Sequence, residues 1–271
     1  GWTGVTSSIV LFLDGDDMLD PEAMARVVEA LADEPKAGRC QFRLRLVDGE
    51  GAAIAGGFPE PGRPLPAGDL RDRMASNPDD IAWQPTSGNA FRSTVLRRLL
   101  PMPEEPYRIS ADHYLSNLSA LHGRVAAIET ELGSYRIHGD NADHRSGFDL
   151  GRARDILVRT DETHRLLLDH GTRVGSAMPD SVDGFTSLTT AGLRLASFRI
   201  SGRAEARAAV DRAHPYPEDR RWSLTRKGLT AARGRTDFSP PRRVAAGAWI
   251  ALLAVAPRRL VPKIAASALT R

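Results

Sequence analysis

The apolar run Ile9-Val10-Leu11-Phe12-Leu13 ends abruptly in Asp14-Gly15-Asp16-Asp17, three carboxylates within four residues. A short apolar run bounded by turn residues reads as a buried strand, here Ser8–Leu13. Carboxylates at a strand's carboxyl end lie where open α/β sheets hold their ligands. Packed this closely they raise each other's pKa unless a cation neutralises them. Ions such as Mg²⁺ take one or two carboxylates and draw further ligands from substrate phosphates. The simplest reading is a metal–diphosphate site with Asp14 and Asp16 as ligands.

Two other readings explain less. An EF-hand loop opening at Asp14 needs Gly at its sixth position and Glu at its twelfth. Those positions hold Leu19 and Ala25, which excludes it. A helix N-cap cluster accounts for Asp20, which with Pro21 opens a helix, and at most for Asp17. It leaves Asp14 and Asp16 without a role.

A chain of 271 residues holds one large domain, or one domain plus a helical appendage. Of its 37 basic residues 34 are Arg, dispersed and never interleaved with aromatics, which argues against a nucleic-acid partner. Cys40 is the sole cysteine. It excludes an intrachain disulfide and a zinc–cysteine site, and it fits a reducing cytoplasm. There is no initiator Met and no signal peptide, and Gly1 stands a few residues before an interior-looking strand. We therefore expect an upstream portion to be missing, leaving a sheet edge unpaired and Ile9, Leu11 and Leu13 partly uncovered.

Further along, Asp20-Pro21 predicts a helix to about Asp33 with Met24, Val27, Val28 and Leu31 on its inner face. Cys40, Phe42, Leu44 and Leu46 alternate with Gln41, Arg43 and Arg45, the period of a half-exposed strand, before a turn at Asp48-Gly49-Glu50-Gly51. Residues 56–68 are too rich in Pro and Gly for regular structure and read as a lid or a surface insertion. Leu70–Ala75 reads as a short helix, Ile81–Gln84 as a strand, and Ser93–Leu100 as a helix. Ser110 reads as the cap of a helix through Leu121 that carries Asp112 in its first turn. Arg124–Ile128 and Leu132–Ile137 read as two strands. Beyond residue 150 the pattern turns helical, at Ala153–His170, Thr189–Phe198, Arg203–Ala213 and Arg220–Arg233.

Four segments, in this order, resemble a family 2 glycosyltransferase of the GT-A fold: Leu13-Asp14-Gly15-Asp16-Asp17, Pro85-Thr86-Ser87-Gly88-Asn89-Ala90-Phe91-Arg92, Ser110-Ala111-Asp112, and Tyr135-Arg136-Ile137-His138-Gly139-Asp140-Asn141. The resemblance covers about residues 5–145. It implies an α/β fold with a GT-A-like (Rossmann-like) mixed sheet, partial at the N-terminus, as a catalytic domain over 1–150, and an α-helical region over 151–271. It implies transfer, with inversion, from a nucleotide-diphosphate sugar to a saccharide or lipid-linked acceptor, with Mg²⁺ or Mn²⁺. Asp112 is then the catalytic base, and Asp14, Asp16, Ser87, Gly88, Asn89, Arg136 and His138 contact the donor. His138 joins Asp14 and Asp16 as a candidate metal ligand, whereas a zinc pair of His138 with His144 lacks further ligands at familiar spacing. Two departures stand out: the strand–helix units that hold the nucleotide base are absent, and Ala111 stands where many members have Glu.

Two alternatives stay open. The Asp-x-Asp ending is also similar to haloacid-dehalogenase-type phosphatases, which suggests a metal-dependent phosphatase or phosphotransferase. However, Met18 and Leu19 follow where those have a Gly-Thr-like pair, and none of Lys36, Lys227 and Lys263 stands in a convincing phosphate loop. The other is a non-catalytic binding module left by loss of the nucleotide-binding half. Finally, Val244–Ala256 is apolar and flanked by Arg242-Arg243 and Arg258-Arg259. It is too short to span a bilayer, which takes about 17–25 residues. It reads either as a helix docked on protein or as an interfacial helix, which makes residues 242–271 a membrane-surface element. That second reading places a cytoplasmic enzyme on the inner membrane face.

Overall fold

The computed structural model describes residues 4–138, 148–205, 214–235 and 237–269, with the backbone alone at 202–205 and 267–269. The chain is a mixed α/β protein whose contacts divide it into two units. The first comprises Gly1–Ala75, Ile81–His144 and Asp169–Met178; the second comprises Ser76–Asp80, Arg145–Leu168 and Pro179–Arg271.

The first unit is built on a six-stranded sheet in the order β1-β5-β3-β6-β2, with β4 also beside β3. The strands are β1 (Ile9–Leu11), β2 (Met18–Leu19), β3 (Ala37–Val47), β4 (Ala53–Phe58), β5 (Asn89–Arg92) and β6 (Arg124–Arg136). β3 runs parallel to β6 on one edge and antiparallel to β5 and then β4 on the other. Helix α1 (Ala23–Asp33) lays Ala23, Val27 and Leu31 on Cys40, Phe42 and Leu44 of β3 and on Ile128 and Leu132 of β6. The remaining helices of this unit are α2 (Arg71–Ser76), α3 (Ser93–Leu99), α4 (Glu104–Tyr107) and α5 (Ala111–Ser119).

Several sequence expectations need correcting. β1 is three residues long and half-buried rather than buried, and among the described residues it pairs only with β5, so the expected unpaired edge is present. Leu13 is exposed, in keeping with the expectation that it is partly uncovered. On α1 the buried stripe is i, i+4, i+8, and Met24 and Val28 face outward. Periodicity locates an apolar arc but not which part of it meets the sheet. Asp20 does not cap α1 with its side chain, because its carboxylate is held by the Arg45 guanidinium. The second face of β3 is covered at its start, where Arg39 and Gln41 are fully buried. Much of residues 56–68 accounts for that: β4 takes the beginning, and the rest packs on the sheet. Gln41 donates to the Pro66 carbonyl, Arg43 Nη2 donates to the Arg63 carbonyl at 2.6 Å, and the Leu65 amide donates to Glu129 at 2.9 Å. Ile81–Gln84 is not a strand. The two strands expected after residue 124 are one, β6, whose exposed Glu129-Thr130-Glu131 break the apolar pattern without breaking the strand.

The second unit is helical. It contains α6 (Leu150–Arg173, its end from Asp169 counting with the first unit), α7 (Leu188–Glu205), α8 (Arg221–Gly234), α9 (Pro240–Val255) and α10 (Val261–Leu269). Leu195, Leu224, Ala232, Ile250, Leu253 and Val261 from α7 to α10 form its core. Gly192 lets α9 approach closely, since a Cβ there would lie 2.1 Å from the Trp249 ring. The helix expected over Arg203–Ala213 is not a separate element at its start, because α7 continues through Glu205; its remainder falls outside the described residues. An unforeseen piece of this unit is Ser76–Asp80. Asp80 is 3 % exposed and caps α7, accepting the Leu188 amide at 3.0 Å and the Ser187 hydroxyl at 3.1 Å.

Candidate active site at the Asp14–Asp17 turn

β1 and β2 are joined by a turn in which the Asp17 amide donates to the Asp14 carbonyl at 3.1 Å. Three residues from two distant segments hold this turn. The buried Ser87 hydroxyl accepts the Asp14 amide at 3.0 Å. The Arg136 amide donates to Asp17 Oδ1 at 3.0 Å, and its guanidinium Nε donates to the Asp16 carbonyl at 2.9 Å. His138 Nε2 lies 2.8 Å from Asp16 Oδ2. β2 sets the height of the turn by pairing Met18 and Leu19 with Ser134 and Gly133 of β6. Position 133 has to be glycine for that crossing, because a Cβ would lie 2.7 Å from the Met18 carbonyl oxygen.

The three carboxylates differ. Asp14 is exposed, Asp16 is half-exposed, and Asp17 is buried. Desolvation by the protein around it, then the charges of Asp17 and Asp16, pushes the Asp14 pKa up. Asp17 is raised mainly by burial; the Ser87 hydroxyl and the Arg136 amide offset part of this, and Asp16 adds to it. A carboxyl whose folded pKa is raised stabilises the fold while protonated and loses that contribution as pH rises through the folded pKa. Ionising the turn therefore weakens the fold, and a cation would relieve it. Asp17 Oδ2 is buried and, among the described residues, makes no hydrogen bond. These features fit a divalent cation held by Asp16 and Asp14. Among the described residues no three His, Cys, Asp or Glu side chains form a ready ligand set, so such an ion draws part of its shell from elsewhere.

The residues singled out from sequence have unequal places here. Asp14, Asp16, Ser87, Arg136 and His138 come together. Arg136 is a clasp, its guanidinium also donating to the Gly49 carbonyl at 2.9 Å and tying the turn to the β3–β4 connection. Gly88 lies in the turn after Pro85, where a Cβ would meet Gln84, Phe42 and Leu44 at 3.1–3.3 Å. Asn89 is buried, its amide donating to the Gln84 and Pro85 carbonyls at 3.0 and 2.8 Å while Oδ1 accepts from Arg39 at 3.3 Å. Asp112 sits in the first turn of α5, where Oδ1 accepts the His113 amide at 2.8 Å. Among the described residues, the hydrogen bonds that join Ser87, Arg136 and His138 to the Asp14–Asp17 turn do not include it. Ser110 precedes α5 without capping it by its side chain. Gly139, Asp140, Asn141 and His144 lie outside the described residues. Sequence reasoning offered Asp17 at most a part in a helix cap, although its place beside Asp16 was the available signal.

No family model matches the chain. It is 30% identical over 141 residues to an uncharacterized glycosyltransferase of Nostoc sp. (strain PCC 7120), which covers 52% of this chain and 43% of that protein. The chain thus spans less than half the length of the curated relative it matches.

Proposed function

We propose that this chain carries the catalytic part of a family 2, GT-A-type glycosyltransferase, with 1–150 as its catalytic domain and 151–271 as a helical region. The observation that carries this reading is the convergence of Ser87, Arg136 and His138 on the Asp14–Asp17 turn. The similarity to a protein named glycosyltransferase supports it further. The donor is a nucleotide-diphosphate sugar and the acceptor a saccharide or a lipid-linked acceptor. Asp16 and Asp14 are the residues that would hold Mg²⁺ or Mn²⁺. When bound, such an ion supplies charge to the departing diphosphate as a Lewis acid. Ser87 and Arg136 fix the turn, and His138 orients the Asp16 carboxylate. Asp112 accepts the proton of the acceptor hydroxyl as its oxygen forms the new bond to the anomeric carbon. That carbon loses its bond to the diphosphate in the same displacement, so its configuration inverts.

The test is turnover of a panel of nucleotide-diphosphate sugars with Mn²⁺ and saccharide acceptors, following nucleoside diphosphate release and glycoside formation. Stoichiometric release and transfer, dependent on acceptor, is expected for one donor. Release of inorganic phosphate from phosphomonoesters instead would favour a phosphatase.

A further inference from the structure

A surface helix of a globular protein buries one face and turns a polar face to water. Helix α9 does not. Ile250, Leu253 and Ala254 face the core of the helical unit. The opposite side carries Val244, Ala245, Ala248, Ala251, Leu252 and Val255, all exposed and all apolar. At the helical spacing these six fall on one continuous stripe about 120° wide. Val244 is 73%, Leu252 53% and Val255 65% exposed. Neither sequence expectation for this segment was complete, because the helix is docked on one side and bare on the other.

The charges around the stripe say what covers it. From Pro240 to Arg271 the sequence has six basic residues and no acidic one. Arg242 stands at the start of α9, and Arg259 and Lys263 are exposed just beyond its end, next to exposed Leu260. A protein partner with an apolar patch would not require cations at both ends of the stripe. An anionic lipid surface does, since apolar side chains enter the acyl boundary while Arg and Lys stay at the headgroups. The helix is of the surface-lying kind, because no described helix is long and apolar enough to cross a membrane. We infer that the exposed face of α9, with Arg242, Arg259 and Lys263, docks the protein on an anionic bilayer. This inference does not depend on the catalytic reading.

Removing residues 242–271 would not test it, because Ile250, Leu253 and Val261 belong to the core. Point changes on the bare face do. Flotation with vesicles of phosphatidylglycerol and phosphatidylcholine should recover the intact protein at low salt, and vesicles of phosphatidylcholine alone should recover far less. Leu252→Glu with Val255→Glu should abolish flotation while the helical circular dichroism and melting temperature stay unchanged. Arg259→Gln with Lys263→Gln should weaken binding about thirtyfold at low salt, two basic contacts being lost, and raised salt should mimic this. Sedimentation decides against the alternative cover. If the protein ignores anionic vesicles, or if it is an oligomer that Leu252→Glu with Val255→Glu converts to monomer while vesicle binding persists, the stripe is a protein interface and the inference is wrong.

Discussion

Asp112→Asn should lower sugar transfer about 10²–10⁴-fold, the usual contribution of a positioned general base. The exchange keeps the side chain's shape and an Oδ1 that still accepts the His113 amide, so the start of α5 is preserved. What it removes is the ability to take a proton. The loss should therefore appear in kcat, with the donor's binding constant and the melting temperature near those of the parent. A loss smaller than tenfold would make Asp112 a structural residue of α5 and move the base elsewhere.

The largest effect on stability is expected at Asp80. This buried carboxylate accepts the Leu188 and Thr189 amides and the Ser187 hydroxyl, and it faces the Arg235 guanidinium at 3.4 Å. Replacing it by Ala uncaps α7 and leaves buried donors without acceptors, costing about 2–4 kcal/mol. Arg235 keeps a second partner in Asp237, which holds the cost below that of stranding a buried charge. Burial raises the Asp80 pKa more than Arg235 lowers it, so its charge is not what the fold depends on most. Asp80→Asn retains one acceptor oxygen and should cost clearly less than Asp80→Ala in urea unfolding. Equal and small costs, below about 0.5 kcal/mol as at ordinary surface positions, would show that α7 does not rely on this cap.

Much of the site could be read in the residues because its chemistry is written locally. Three carboxylates at the end of an apolar run are an electrostatic oddity at any fold. The segments around Ser87 and His138 were recognisable by their order along the chain. What could not be read was how each side chain is used. Arg136 and Asn89 have the same polar groups whether they meet a ligand or the backbone, and here their described side-chain bonds go to carbonyl oxygens, for Asn89 also to Arg39 and for Arg136 also to the Met18 sulfur. Only the register of β6 against β2 and β3 decides this. The same limit explains the fold-level differences. Local periodicity marks α1 but cannot say that Ala23 rather than Met24 meets the sheet. It marks a strand at Cys40 but cannot foresee that residues 63–66 cover the second face. Asp79 and Asp80 carry no periodic signal, because their side-chain partners stand at least 85 residues away.

The central claim is that the Asp14–Asp17 turn holds a cation against a diphosphate, and inorganic diphosphate probes it without calling on any base pocket. Calorimetry should titrate diphosphate into the protein with and without Mn²⁺, for the parent and for Asp16→Asn. The parent should bind diphosphate at least about tenfold more tightly with Mn²⁺ present, a coupling of about 1.4 kcal/mol. Asp16→Asn should erase that coupling while leaving the melting temperature of the cation-free protein unchanged or raised. Diphosphate binding that ignores Mn²⁺ in the parent, or a coupling that survives Asp16→Asn, would contradict it.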